Sequence, residues 1–148
     1  MNVRDITEAW RLILDASPVI RQTVKSAAIV RQGVVNENAG QTPWIGIYKA
    51  VIQTRPRSLG AHASSWQKTV NLKTLVQVFS ASGGDAAEDE LEALIEDMER
   101  LIFDNLTLSG TVDMITGVDT EYRFIESEAE SIFFQMAEMT IIAEVATG

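Results

Sequence analysis

The side chains that most often carry catalysis are scarce in this sequence. His62 is its single histidine, and it has no cysteine. A multi-imidazole metal centre, thiolate ligands and disulfides are therefore excluded. A histidine-based triad could use only His62, which follows Gly60 and Ala61 in a turn-rich stretch and reads as a loop or interface residue. There is no phosphate-binding P-loop pattern, no dinucleotide glycine pattern and no nucleophile-elbow serine. Gly83 and Gly84 precede a helix, a place where anions can bind. The acids that follow, Asp85, Glu88, Asp89 and Glu92, repel one. Those four lie along one helical face and would suit a hard cation, but acids at a helix start are ordinarily a solvated face. Glu126, Glu128 and Glu130 lack the Asp/Asn-Gly loop of a specific calcium site. No pair of carboxylates is singled out for acid–base chemistry. The expectation is no catalytic residue, no metal and no cofactor.

Binding chemistry is better represented. Over 53–68, Arg55, Arg57, His62 and Lys68 make a basic segment in which Leu59 and Trp66 are apolar anchors. Arg and Trp are the residues that carry binding energy at interfaces. One reading is a solvated surface hairpin. The other is an arm that reaches a neighbouring subunit, a stacked ring, or nucleic acid, in which case Arg55 and Arg57 would contact phosphates without regard to sequence. Charge is also unevenly divided along the chain. Residues 1–74 hold ten Lys/Arg against four acids, a net of +6, while residues 75–148 hold Arg100 and Arg123 against seventeen acids, a net of −15. Solvated faces can differ in this way. So can the two complementary surfaces of a subunit that assembles head to tail. The acidic total of −9 argues against a sequence-reading nucleic-acid binder.

The elements that must position these residues follow from patterning. At 148 residues, 46% hydrophobic and 22% charged, the chain reads as one domain spanning 1–148 with a core of its own. No apolar run is long enough to cross a membrane. The opening residues have helical spacing and acids where a signal peptide needs a basic start and a continuous apolar stretch, and the absence of cysteine fits a cytosolic site of assembly. Asp5 and Glu8 have capping-box spacing, and Ile6, Ala9, Trp10, Ile13 and Leu14 predict an amphipathic helix over 5–15. Ser17-Pro18 predicts a short second helix over 18–25. Ile29 and Val30 start a strand, 44–52 reads as another, and 53–68 as a long inter-strand loop. Val70, Leu72, Val76 and Val78 alternate with polar residues, giving a half-buried strand over 68–80.

The stripe Leu91, Leu94, Ile95, Met98, Leu101 and Ile102 predicts a long central helix over about 85–103. Residues 110–117 and 120–126 read as strand interrupted by a turn or bulge at 117–119. An acidic turn at 126–130 leads into a closing strand over 133–145, whose outer face carries Phe134, Met136 and Ile142 and calls for a cover. The expected fold class is α+β: a mostly antiparallel four- to five-stranded sheet packed by an N-terminal helix and the long central helix.

This order of elements, with Pro43-Trp44-Ile45-Gly46-Ile47, Thr54 to Gly60, Trp66 before the strand Val70–Phe79, Ala87 to Glu92 opening the long helix, and Leu108 to Asp113, resembles the tail terminator (tail completion) proteins of long-tailed bacteriophages. The resemblance spans about 5–146 and lies in element order more than in invariant residues. It implies a virion structural protein and no enzymatic activity: a homo-oligomeric, hexameric ring at the tail–neck junction, assembled in the host cytoplasm. Its partners would be further copies of itself, the tail tube protein, the head connector or neck protein, and DNA passing through the lumen without sequence recognition. One ring face would match the last tube ring and the other would stop polymerisation, with lumen acids repelling DNA. Three other readings stay open: another neck or head-closure subunit, a small oligomeric α+β enzyme with a carboxylate or His62 in a closed pocket, and a soluble binding module that works as a monomer.

Overall fold

The computed structural model describes residues 3–25, 28–31, 43–56, 66–80, 84–127 and 132–146. The first helix, α1 (Val3–Ala16), begins two residues ahead of Asp5. Asp5 therefore sits inside the first turn, where its charge suits the positive helix end, instead of capping it. Ile6, Ala9, Trp10 and Leu14 form its buried stripe. In α2 (Pro18–Thr23) the Ser17 side chain accepts the Ile20 N–H at 3.4 Å, and Pro18 occupies the first turn, where its missing N–H costs nothing. The long helix, α3 (Gly84–Asp104), buries Ala87, Leu91, Leu94, Ile95, Met98 and Ile102. Each fully buried Leu or Ile contributes about 1.5–3 kcal/mol relative to exposure. Asn105 closes this helix by donating from Nδ2 to the Leu101 carbonyl at 2.8 Å.

The strands are β1 (Ile29–Arg31), β2 (Trp44–Ile47), β3 (Val51–Pro56), β4 (Trp66–Ser80), β5 (Met114–Ser127) and β6 (Ile132–Ala146). They form one mixed sheet in the order β1-β2-β4-β6-β5, with β3 paired to β4 alongside β2. All pairings are antiparallel except β1 with β2. The fold is thus α+β, with six described strands where four to five were expected. Strands β4 and β6 form the spine, in register from Gln67↔Ala146 to Ser80↔Phe133. Helix α1 packs on β1, and α3 lies across β4 and β6 with some contact to β5.

All three helices lie on one face of the sheet. Val70, Leu72, Thr74, Val76 and Val78 of β4 point toward them, as do Ala137, Met139, Ile141 and Ala143 of β6. Beneath the helices the fully buried Trp10 donates from Nε1 to Thr74 Oγ1 at 3.0 Å, so the one polar atom of that ring is satisfied.

Two expected strands are drawn differently. The strand expected over 44–52 breaks at 48–50. Between the pairs Ile47↔Thr74 and Val51↔Asn71 this edge advances four residues while β4 advances three. One extra residue reverses which side chains face the helices: Ile45 and Ile47 point inward before the break, Ile52 after it. The Tyr48 N–H still reaches the Lys73 carbonyl at 2.9 Å, so the ladder is offset and not abandoned.

The strand expected from 110 begins at Met114. Leu108, Ser109 and Gly110 all have positive φ (45°, 58° and 82°), which curls the chain and inserts Leu108, 1% exposed, as a plug. The Thr111 hydroxyl donates to the Leu108 carbonyl at 2.8 Å and holds the curl. The bulge expected near Gly117 lies between Ile115 and Gly117. The acidic turn expected at 126–130 falls partly in β5 and otherwise outside the described residues.

Candidate functional site

The basic segment expected as a loop over 53–68 is strand at both ends. Thr54↔Lys68, Arg55↔Gln67 and Pro56↔Trp66 are ladder pairs, so only 57–65 connects the strands, and these residues lie outside the described set. Arg57, Leu59 and His62 fall there. Trp66 is described by its backbone alone, as the first residue of β4. Arg55 is exposed on β3, and strand alternation puts it on the sheet face away from the helices. Lys68, half-buried, is on the helix side of the same hairpin. The ladder therefore makes Arg55 and Lys68 neighbours but turns them to opposite faces. Opposite Arg55, the Gln67 Nε2 donates to Glu144 Oε1 at 2.9 Å, tying the base of the hairpin to β6.

The sheet face without helices has its own structure. Trp44 lies flat over Gly46: a Cβ added at Gly46 would stand 2.5 Å from the Trp44 ring. Glycine is what allows the ring to lie there, leaving Trp44 3% exposed. Further along, Tyr48, Lys49, Val51, Gln53, Lys73 and Glu138 help to line an open concavity of about 950 Å³. Lys73 Nζ reaches Glu138 Oε1 at 3.2 Å in its wall. Its lining carries two cations, Lys49 and Lys73, and one carboxylate, Glu138. Met136 and Ile142 are half-buried on this face of β6, beside Asn71, Leu75 and Gln77 of β4.

Electrostatics separate the two edges of the sheet. On the β3 side stand Lys49 and Arg55, with Lys68 and Lys73 on the adjoining β4. On the β5 side stand Asp119 and Glu121, preceded by Asp113 and followed in the strand by Arg123, and α3 turns Glu88, Asp89, Glu92 and Glu96 to solvent. Tyr122, half exposed on β5, registers that field. Burial pushes its phenol above the ordinary tyrosine value, and Glu99, Glu92 and Glu96 push it further in the same direction by opposing a second negative charge. Elsewhere, Arg11 is held above the usual guanidinium value chiefly by its hydrogen bond to Glu8, at 2.6 Å, with burial opposing. Among the described residues no group of three or more His, Cys, Asp or Glu is placed to hold a metal ion. No helix there is long and apolar enough to cross a membrane.

The sequence pointed to Arg55 and Lys68. It did not point to Asp119 and Glu121, which nothing in local spacing distinguishes from the other acids of the second half. The one available signal was the change of net charge along the chain, and sheet order turns that into a difference between edges. In comparison with known proteins, no family model and no curated relative matches this chain.

Proposed function

We propose that this chain is a structural subunit of a phage virion, of the tail terminator kind, which closes into a ring on the end of the tail tube. The observation that carries this reading is the opposition of charge between the two edges of one sheet. A subunit that closes a ring by head-to-tail contacts needs two different, mutually complementary surfaces. A monomeric binding module has no such requirement. The helix-free sheet face, with its concavity and the half-buried Met136 and Ile142, is a second flat surface, suited to stacking on a tube ring.

In this role the mechanism is steric. One ring face matches the last ring of the tube and the other lacks the site for a further tube subunit, so growth stops and a surface for the head connector is left. DNA would pass through the lumen without sequence recognition, repelled by acids that line it. Light scattering of the purified protein across concentration and salt tests the reading, with and without purified tail tubes. A ring of about six copies, formed alone or on tubes and loosened by salt, supports it. A monomer that stays monomeric in the presence of tubes overturns it.

A further inference from the structure

Among the described strands, β1, β3 and β5 are each paired on one side only, and β1 is just three residues long. Such edges present a row of backbone donors and acceptors that proteins blunt or use. Strand β5 is 14 residues long, and β3 is exposed along nearly its whole length, with Val51 at 59%. The two edges differ in charge: Arg55 on β3, with Lys49 just before it, against Asp119 and Glu121 on β5, which also carries Arg123.

We infer that the β5 edge of one copy pairs with the β3 edge of the next, so that the sheet continues from subunit to subunit. This rests on the ring reading above and names the surfaces that close it. Three observations support it.

The first is direction. Strand β5 is antiparallel to β6, β6 to β4, and β4 to β3. Hence β5 and β3 run in opposite directions within one chain. Copies related by a rotation about an axis near the strand direction keep those directions, so the junction is antiparallel, the more stable ladder. The second is charge. A symmetric β3–β3 junction brings Arg55 toward Arg55, whereas in a symmetric antiparallel β5–β5 junction only a residue on the axis meets its own copy, and Asp119 meets Glu121 or Arg123 according to register. Like charges directly opposite destabilise a strand pair, whereas the mixed junction sets opposite charges across it. The third is pattern. Arg55 and Asp119 both lie on the helix-free face, so a register that pairs them keeps both helix layers on one side. The same register sets Gln53 against Glu121, Thr54 against Thr120, and the half-buried Ile52 against the half-exposed Tyr122, an aliphatic–aromatic cross-strand pair. Pro56, which has no N–H to give, falls at the end of this ladder.

The chain has no cysteine, so introduced thiols report alone. Two single variants, Gln53→Cys and Glu121→Cys, leave Arg55 and Asp119 in place. Treated with a short thiol–thiol cross-linker, a mixture of the two is expected to give covalent dimers, and each variant by itself none. Dimers from either variant alone mean a symmetric junction and overturn the inference. No dimers from a mixture that light scattering shows to be a ring also overturn it, while leaving the ring intact on some other surface. Monomers throughout, with tubes present, remove both. Charge reversal supplies a second readout. Arg55→Glu and Asp119→Lys are each expected to raise the concentration needed for assembly by at least about tenfold at low salt, and their combination in one chain to restore most of it. Failure of the combination to restore assembly overturns the Arg55–Asp119 pairing.

Discussion

Leu72 and Leu75 lie three residues apart on β4 and point to opposite faces of the sheet. Leu72 is 1% exposed under the helices, among Ile141 of β6 and the stripe of α3, whereas Leu75 is half-buried between Gly46 and Glu138. The same contrast runs along the whole β4–β6 ladder. One face is almost entirely aliphatic and closed by Trp10. The other mixes Asn71, Lys73, Gln77, Glu138 and Thr140 with Leu75, Met136 and Ile142. A face meant only for water would not need side chains of that size, and a face meant only for a permanent core would not carry the Lys73–Glu138 pair. The helix face holds the fold together, and the opposite, mixed face is the one the proposed assembly would use.

This contrast can be broken by substitution, starting with the helix face. Trp10→Ala is expected to cost about 3–5 kcal/mol and Leu72→Ala about 2–5 kcal/mol, read from chemical denaturation. A loss from Leu72→Ala no larger than that from Leu75→Ala would remove the distinction between the faces. Thr74→Val keeps the shape but takes away the acceptor of the Trp10 indole N–H. Thermal or denaturant unfolding should register about 1–3 kcal/mol, the cost of a buried donor left without a partner. On the other face, Leu75→Ala should cost the isolated chain about 1 kcal/mol or less, since its site opens to solvent. The Lys73–Glu138 pair, 48% and 23% exposed, should show a coupling of about 0.2–1 kcal/mol in a double-mutant cycle and lose it in high salt.

The smallest effect belongs to pH. Tyr122 titrates above its ordinary value in the folded state, so its contribution to stability is present in full below pH 10 and is lost as pH rises through the folded value. Tyr122→Phe should flatten the alkaline fall in unfolding temperature without changing the neutral value. An unchanged alkaline slope would show that neither burial nor the acids of α3 shift this phenol.

Most elements were legible because their causes are local. The stripe from Leu91 to Ile102 has one period whatever surrounds it, and Ser17-Pro18 caps its helix with atoms a few bonds away. The closing strand alternates as read, with Ala137, Met139, Ile141 and Ala143 buried. The break at 48–50 was not legible, since 44–52 is apolar or β-branched nearly throughout and only the count of residues on β4 reveals the extra one. The curl at 108–110 was missed for a related reason: Leu108 adopts a positive φ that its side chain disfavours, and burial of that side chain is what holds it there.

The candidate site divides along the same line. By itself the sequence determined an α+β chain with two amphipathic helices, a cysteine-free composition, and a positive first half joined to a negative second half. Only the tertiary structure decided that β4 and β6 form the spine, that β3 and β5 lie on opposite flanks of it, and that Arg55 and Asp119 therefore stand on opposite edges of one sheet. Helical stripes and caps arise from contacts within a few residues. Strand order arises from pairing between segments as far apart as Gln67 and Ala146, and its free energy is written in no local window.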